Sequence, residues 1–276
     1  MTRNPHAGDS ILERAMHIEV NGDSIYVKLL LHRSPETREQ SPTLLFLHEA
    51  LGSVGQWKSF PKELCQATGC DGVVYDRIGH GQSSPMHKPR DLHFYQEEAE
   101  VVLPALLSAL NIRRPLLLGH SDGATIALKF ASSFPEAAVG VVSMAAHVII
   151  EDITLDGIRD AQRLYTETDL RAKLTRYHGD KTDAVFSAWA GTWLQPGMKK
   201  WNMLDDLRLI TCPVLIIQGE RDAYGSRAQV DAIAEHVHGK HEILWLKDCG
   251  HVPHLEERQA VIASVCRFVE DARSRE

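Results

Sequence analysis

The chain has 276 residues, enough for one large domain, or a domain with an insertion, around a sizeable core. Apolar residues make up 43% and charged residues 24%, ordinary proportions for a soluble globular protein, and a formal net charge of −7 with no basic run argues against nucleic acid as a partner. No apolar run is long enough to span a membrane, and the polar stretch 1–11 lacks the apolar segment of a secretory signal, so a cytoplasmic location and no membrane partner are expected; a monomer or homodimer is the expected state.

Residues 1–14 read as a polar lead-in. Met16–Val20 and Ser24–His32 alternate in character and flank Asn21-Gly22-Asp23, a strong hairpin signal. A polar loop over 34–42 leads to Thr43–Leu47, a continuous apolar run of the kind a strand covered on both faces requires. Trp57–Ala67 has helical spacing, and Gly72–Tyr75 is a second buried strand. Tyr95–Leu110 is a long amphipathic helix in which Pro104 predicts a kink. Pro115–Leu118 and Val139–Met144 are further buried strands, with a helix after Gly123 between them.

From 148 to 206 the strands stop. Four amphipathic helices are expected there: Leu155–Tyr165, Asp169–Tyr177, Asp183–Trp193 and a short one over Trp201–Leu207. Strand and helix then alternate again through Pro213–Gln218, Ala228–His236, Glu242–Leu246 and a terminal helix over Leu255–Ala272. This rhythm predicts an α/β fold with a mostly parallel sheet, helices on both faces, and ligand sites beyond the carboxyl ends of the strands.

The candidate chemistry falls at such ends. Gly119-His120-Ser121-Asp122-Gly123 matches G-x-S-x-G where a buried strand becomes a helix, the context of a nucleophile elbow. A serine hydroxyl needs a base, and the base needs a carboxylate to orient it. His251 follows the strand Glu242–Leu246 and Asp222 follows Pro213–Gln218, in the chain order Ser, Asp, His. Glu220 rivals Asp222, which is also an ordinary turn residue, and His254 rivals His251. An oxyanion needs two donors, for which the N–H groups of Asp122 and of Ala50, after Thr43–Leu47, are the candidates. Five cysteines without a C-x-x-C pair, and fifteen scattered histidines, give no reason to expect a disulfide framework, a metal or another cofactor.

These residues resemble the α/β-hydrolase superfamily. The likeness is carried by L-H-x-x-x-G-S at 47–53, D-R-x-G-x-G-x-S at 76–83, the elbow, C-P-V-L-x-I-x-G-E-x-D at 212–222 and G-H-x-P-H at 250–254. It implies the α/β-hydrolase fold, with a core over 1–147 and 207–276 and a helical cap over 148–206. It also implies a serine hydrolase that cleaves a small carboxylic ester or amide through an acyl-enzyme on Ser121, His251 and Asp222. A carbon–carbon bond hydrolase or lactonase, and a slow-turnover binding protein of the same fold, are the alternatives.

Two positions depart from the family pattern. Glu49 stands where a glycine usually follows His48, and pairing with Arg77 is one expectation for it. Asp122 resembles the valacyclovir hydrolase (biphenyl hydrolase-like) branch, where an aspartate after the nucleophile recognises an α-amino group. In the first helical turn an aspartate is also favourable on dipole grounds alone. Asp122, Glu49, His147, Trp189 and Trp193 are the expected substrate-binding residues; the aromatics of 148–206 either line a pocket or pack the helices together.

Overall fold

The computed structural model describes residues 11–32 and 41–274. The polar loop expected over 34–42 lies mostly outside the described residues. Eight strands form one sheet in the order β1-β2-β4-β3-β5-β6-β7-β8. They are β1 (Ile11–Val20), β2 (Asp23–His32), β3 (Leu44–Leu47), β4 (Gly72–Tyr75), β5 (Leu116–His120), β6 (Gly140–Met144), β7 (Val214–Gly219) and β8 (His241–Leu246). β1 and β2 form an antiparallel hairpin and β2 runs antiparallel to β4, while all other neighbours are parallel. The hairpin turn sets Asn21 at φ 53° and Gly22 at φ 90°, the double positive φ that a two-residue turn between right-twisted strands demands.

The lead-in is shorter than expected, because β1 already begins at Ile11 and pairs it with His32. Its outer half is exposed on one sheet edge, with Leu12, Glu13 and Arg14 facing solvent, so no alternation marks it in the sequence.

The continuous apolar runs are explained by two cores, one on each face of the sheet. Leu45, Leu47, Leu117, Val141 and Ile216 point to one side, against Leu103, Leu106, Ile126 and Val230. Leu44, Phe46, Leu116, Leu118, Val142 and Ile217 point to the other, against Phe60, Leu64, Val265 and Phe268. The helices that cover these faces are α1 (Phe60–Thr68), α2 (Phe94–Glu97), α3 (Leu103–Ala109), α4 (Asp122–Ser133), α9 (Arg227–His236), α10 (Pro253–Glu256) and α11 (Arg258–Arg273). Between β6 and β7 lie α5 (Asp152–Glu167), α6 (Leu170–His178), α7 (Thr182–Leu194) and the single turn α8 (Leu204–Leu207).

The kink expected at Pro104 takes another form. α2 passes into α3 through a π turn over Glu98–Val102, immediately before Pro104. Proline cannot donate to the carbonyl one turn back and its ring crowds that carbonyl; widening the preceding turn absorbs both problems without breaking the helix. The terminal helix is divided at Glu257, where φ −121° and ψ 43° interrupt it between α10 and α11. Because β3, β5, β6, β7 and β8 are adjacent and parallel, their carboxyl ends open on the same edge of the sheet.

Candidate active site

Ser121 stands between β5 and α4 with φ 52° and ψ −119°, a conformation that costs a residue with a Cβ about 1–3 kcal/mol. Two close approaches hold it there. A Cβ on Gly119 would lie 2.3 Å from the carbonyl oxygen of Gly123, and one on Gly123 would lie 2.0 Å from the carbonyl oxygen of Leu47. Only glycine lets α4 start this close to the ends of β3 and β5. The Ser121 amide donates to the Met144 carbonyl at 2.8 Å, tying the turn to the end of β6.

The structure brings the three sequence-identified residues together. His251 Nε2 lies 3.0 Å from Ser121 Oγ, and His251 Nδ1 lies 2.9 and 2.8 Å from the two Asp222 oxygens. Asp222 also accepts from Gln218 Nε2 at 2.7 Å and from the Tyr224 amide at 2.8 Å. Burial opposes both charged forms. The hydrogen bond and charge of Asp222 outweigh that cost and raise the His251 pKa above the ordinary 6.5. The same His251 contact, with the Tyr224 amide, brings Asp222 down to about 2. Glu220 takes no part; its carboxylate receives the Asp248 amide at the surface. His254 packs 4.5 Å from the Trp57 ring and 4.8 Å from His120, and burial drives its pKa well down.

One supporting residue carries no sequence signal of its own. The Glu256 carboxylate accepts the amides of Gly250 at 2.7 Å and Val252 at 2.9 Å, on either side of His251. His120, second in the elbow, places its Nε2 2.7 Å from the His251 carbonyl.

The oxyanion candidates also converge. Ala50 and Asp122 both line the small cavity at Ser121, and neither amide has a backbone acceptor among the described residues. The Ala50 loop is fixed from behind. Its carbonyl meets His80 Nε2 at 2.9 Å, while His48 Nε2 accepts the Arg77 amide at 3.0 Å.

At two positions the geometry departs from the sequence reading. Asp122 is 1% exposed, with Arg90 Nη1 2.6 Å from one carboxylate oxygen and the Tyr95 hydroxyl 2.6 Å from the other. Burial would raise its pKa, but the charges of Arg90 and Arg77 bring it to about 2. Its negative charge is already matched inside the protein, which counts against an ammonium-binding role. Arg90 belongs to a loop without periodicity, so nothing in the sequence pairs it with Asp122.

Glu49 does not form the expected carboxylate pair with Arg77. Arg77 Nη2 donates instead to the Glu49 backbone carbonyl at 2.7 Å. Among the described residues the Glu49 carboxyl makes no hydrogen bond or ion pair; it borders the Ser121 cavity, where burial raises its pKa.

His147, Trp189 and Trp193 line that cavity, joined by Thr154 and Ile158 of α5. The other aromatics of this segment divide by role. Tyr165 stacks on Phe186 at 3.8 Å and joins α5 to α7, whereas Trp201 packs 5.2 Å from Tyr95.

A family model described as the alpha/beta hydrolase family matches residues 44–264. The chain belongs to that family, a family of hydrolases. It is 27% identical over 237 residues to the human serine hydrolase BPHL, an alignment covering 80% of this chain and 75% of that protein. The fold also matches a proline iminopeptidase from Mycobacterium smegmatis, with a TM-score of 0.72 and 19% identity over 94% of this chain and 99% of that one. An enol-lactonase from Burkholderia xenovorans LB400 gives a TM-score of 0.71 and 16% identity, covering 92% and 100%. No helix among the described residues is long and apolar enough to cross a membrane.

Proposed function

We propose that the protein is a serine hydrolase that cleaves a carboxylic ester or amide through an acyl-enzyme. The observation that carries this reading is the unbroken relay from Ser121 Oγ through the His251 ring to the Asp222 carboxylate. Ser121 attacks the carbonyl carbon while His251 Nε2 takes the hydroxyl proton. The Ala50 and Asp122 N–H groups receive the developing oxyanion. His251 then gives the proton to the leaving group as the carbon–heteroatom bond breaks, leaving an acyl ester on Ser121. Water, deprotonated by His251, attacks that ester and releases the acid. Asp222 holds the ring in the required orientation and stabilises its charged form. The helices over 148–206 act as a cap: α5 and α7 close the pocket with Thr154, Ile158, Trp189 and Trp193 and limit water.

The likeness to a serine hydrolase supports the reading at the level of reaction class. Its test is a panel of p-nitrophenyl esters, aminoacyl esters, anilides and lactones, with intact-mass detection of an acyl adduct on Ser121. Turnover of an ester with a trapped adduct that Ser121→Ala abolishes is expected. Hydrolysis that survives Ser121→Ala would sink the mechanism.

A further inference from the structure

We infer that the cavity beside Ala50 and Trp189 is an acyl subsite, and that the acid part of the substrate is an extended apolar chain. This rests on the acyl-enzyme reading above. The cavity at Ser121 is only about 60 Å³, too small for more than the reacting carbonyl and its nearest atoms. Two larger cavities adjoin it. One, of about 230 Å³, shares Ala50 and Trp189 with it; the other, of about 210 Å³, shares Glu49.

Proton transfer decides which cavity takes which half of the substrate. His251 must return its proton to the leaving group, so that group departs on the side of His251. The Glu49 cavity lies there, since Val252, His254 and His120 line it. The larger cavity begins at Ala50, whose N–H faces the carbonyl oxygen, and none of those residues lines it. The acyl chain therefore extends from the carbonyl past Ala50 and Trp189.

The chemistry of that cavity fits a hydrocarbon. Ile78, Phe94, Val102, Val185 and Ala188 form much of its wall. Its charged neighbours are largely engaged with one another. Arg90 holds Asp122 and stacks 3.5 Å from the Phe94 ring centre, Lys88 is 2.8 Å from Glu97, and His87 is 2.6 Å from Asp23. Glu98, 6% exposed, has its carboxyl pushed up to about 7 by burial, against the pull of Arg77 and Arg90. Arg90 Nε and Nη2 and Glu98 Oε2 are buried without a hydrogen-bond partner among the described residues, so the polar groups left over lie on this one side, and the apolar remainder of the wall rewards each methylene it removes from water.

The experiment uses p-nitrophenyl esters from acetyl to dodecanoyl. In the wild type kcat/KM should rise about fourfold per methylene until the cavity is full. Ala188→Leu and Ala188→Trp narrow the wall in two steps and should move the optimum to progressively shorter chains, a graded shift that misfolding does not produce. In parallel, octanamide should quench the tryptophan fluorescence of Ser121→Ala, and adding Ala188→Trp should weaken that binding at least tenfold. An optimum at acetyl, or a chain-length profile unmoved by both Ala188 variants, overturns the subsite and leaves the hydrolase reading intact. If no ester is cleaved but octanamide still binds in an Ala188-dependent way, the hydrolase reading falls and the apolar subsite stands.

Discussion

The Glu256 carboxylate receives the amides of Gly250 and Val252, the two residues that flank His251, at 2.7 and 2.9 Å. It fixes the His251 loop from both sides and leaves the imidazole nitrogens to Ser121 and Asp222. Two charge-assisted bonds of this kind are worth about 1.5–3 kcal/mol each when well formed, less where the loop meets solvent. Glu256→Ala should therefore lower kcat by tenfold or more with little change in KM, since the loop carries the proposed base and lies away from the proposed acyl subsite. Glu256→Gln, which can still accept one amide, should fall between. A KM effect with kcat unchanged would count against a positioning role.

In the proposed mechanism the His251–Asp222 pair sets the pH response. The base must be neutral to take the Ser121 proton, and its pKa is raised above 6.5 by Asp222, with Glu49 and Glu256 adding to the effect. kcat/KM should thus rise with pH through a value above 6.5. Asp222→Asn should move this limb to lower pH and cut kcat by about 10⁴. Glu49→Gln should move it in the same direction by a smaller step. A pH–rate profile for the three proteins measures both shifts, and a limb that stays put in Asp222→Asn would contradict the assignment of His251 as the titrating base.

Asp122 is buried against Arg90, with side-chain exposures of 2% and 4%. Removing one partner leaves the other as an uncompensated buried charge, at a cost of about 3–5 kcal/mol. Asp122→Asn should show this as a marked fall in Tm near neutral pH. The Asp122 pKa is lowered from 3.8 to about 2, so its stabilising contribution is complete above 3.8 and is lost as pH falls through about 2. The variant should accordingly lose less Tm than the wild type between pH 4 and 2. If Asp122 bound an amino group instead, the variant would selectively lose aminoacyl esters at unchanged Tm.

What could be read from the sequence followed from how local each signal is. The parallel sheet was legible because β3, β5 and β7 are covered on both faces and appear as unbroken apolar runs. The elbow was legible because Gly119 and Gly123 are required by contacts within a few residues and with the next strand. That Asp222 and His251 meet Ser121 was legible because strand ends mark all three. The roles of Asp122 and Glu49 were not, because they depend on Arg90 and Arg77, which reach them from other loops across 32 and 28 residues. The first half of β1 was under-read for a different reason: Leu12, Glu13, Arg14 and Ala15 are exposed on both faces of this edge strand, so no alternation marks it.

The strain at the elbow yields a prediction in which two variants, both without activity, differ in stability. Ser121 holds φ 52° and ψ −119°, which burdens any side chain and which glycine adopts freely. Ser121→Ala and Ser121→Gly both remove the hydroxyl that meets His251, so the loss of that bond is common to the two. They differ in the Cβ. Of the 1–3 kcal/mol of strain, glycine regains all but the roughly 0.5–1 kcal/mol its unfolded flexibility costs. Ser121→Gly should therefore be more stable than Ser121→Ala by about 1 kcal/mol, or about 2–4 °C in Tm for a chain of this size, with both inactive. Paired thermal melts test this. Equal melting temperatures would mean that the turn carries no strain worth releasing, and that the serine is tolerated there without cost.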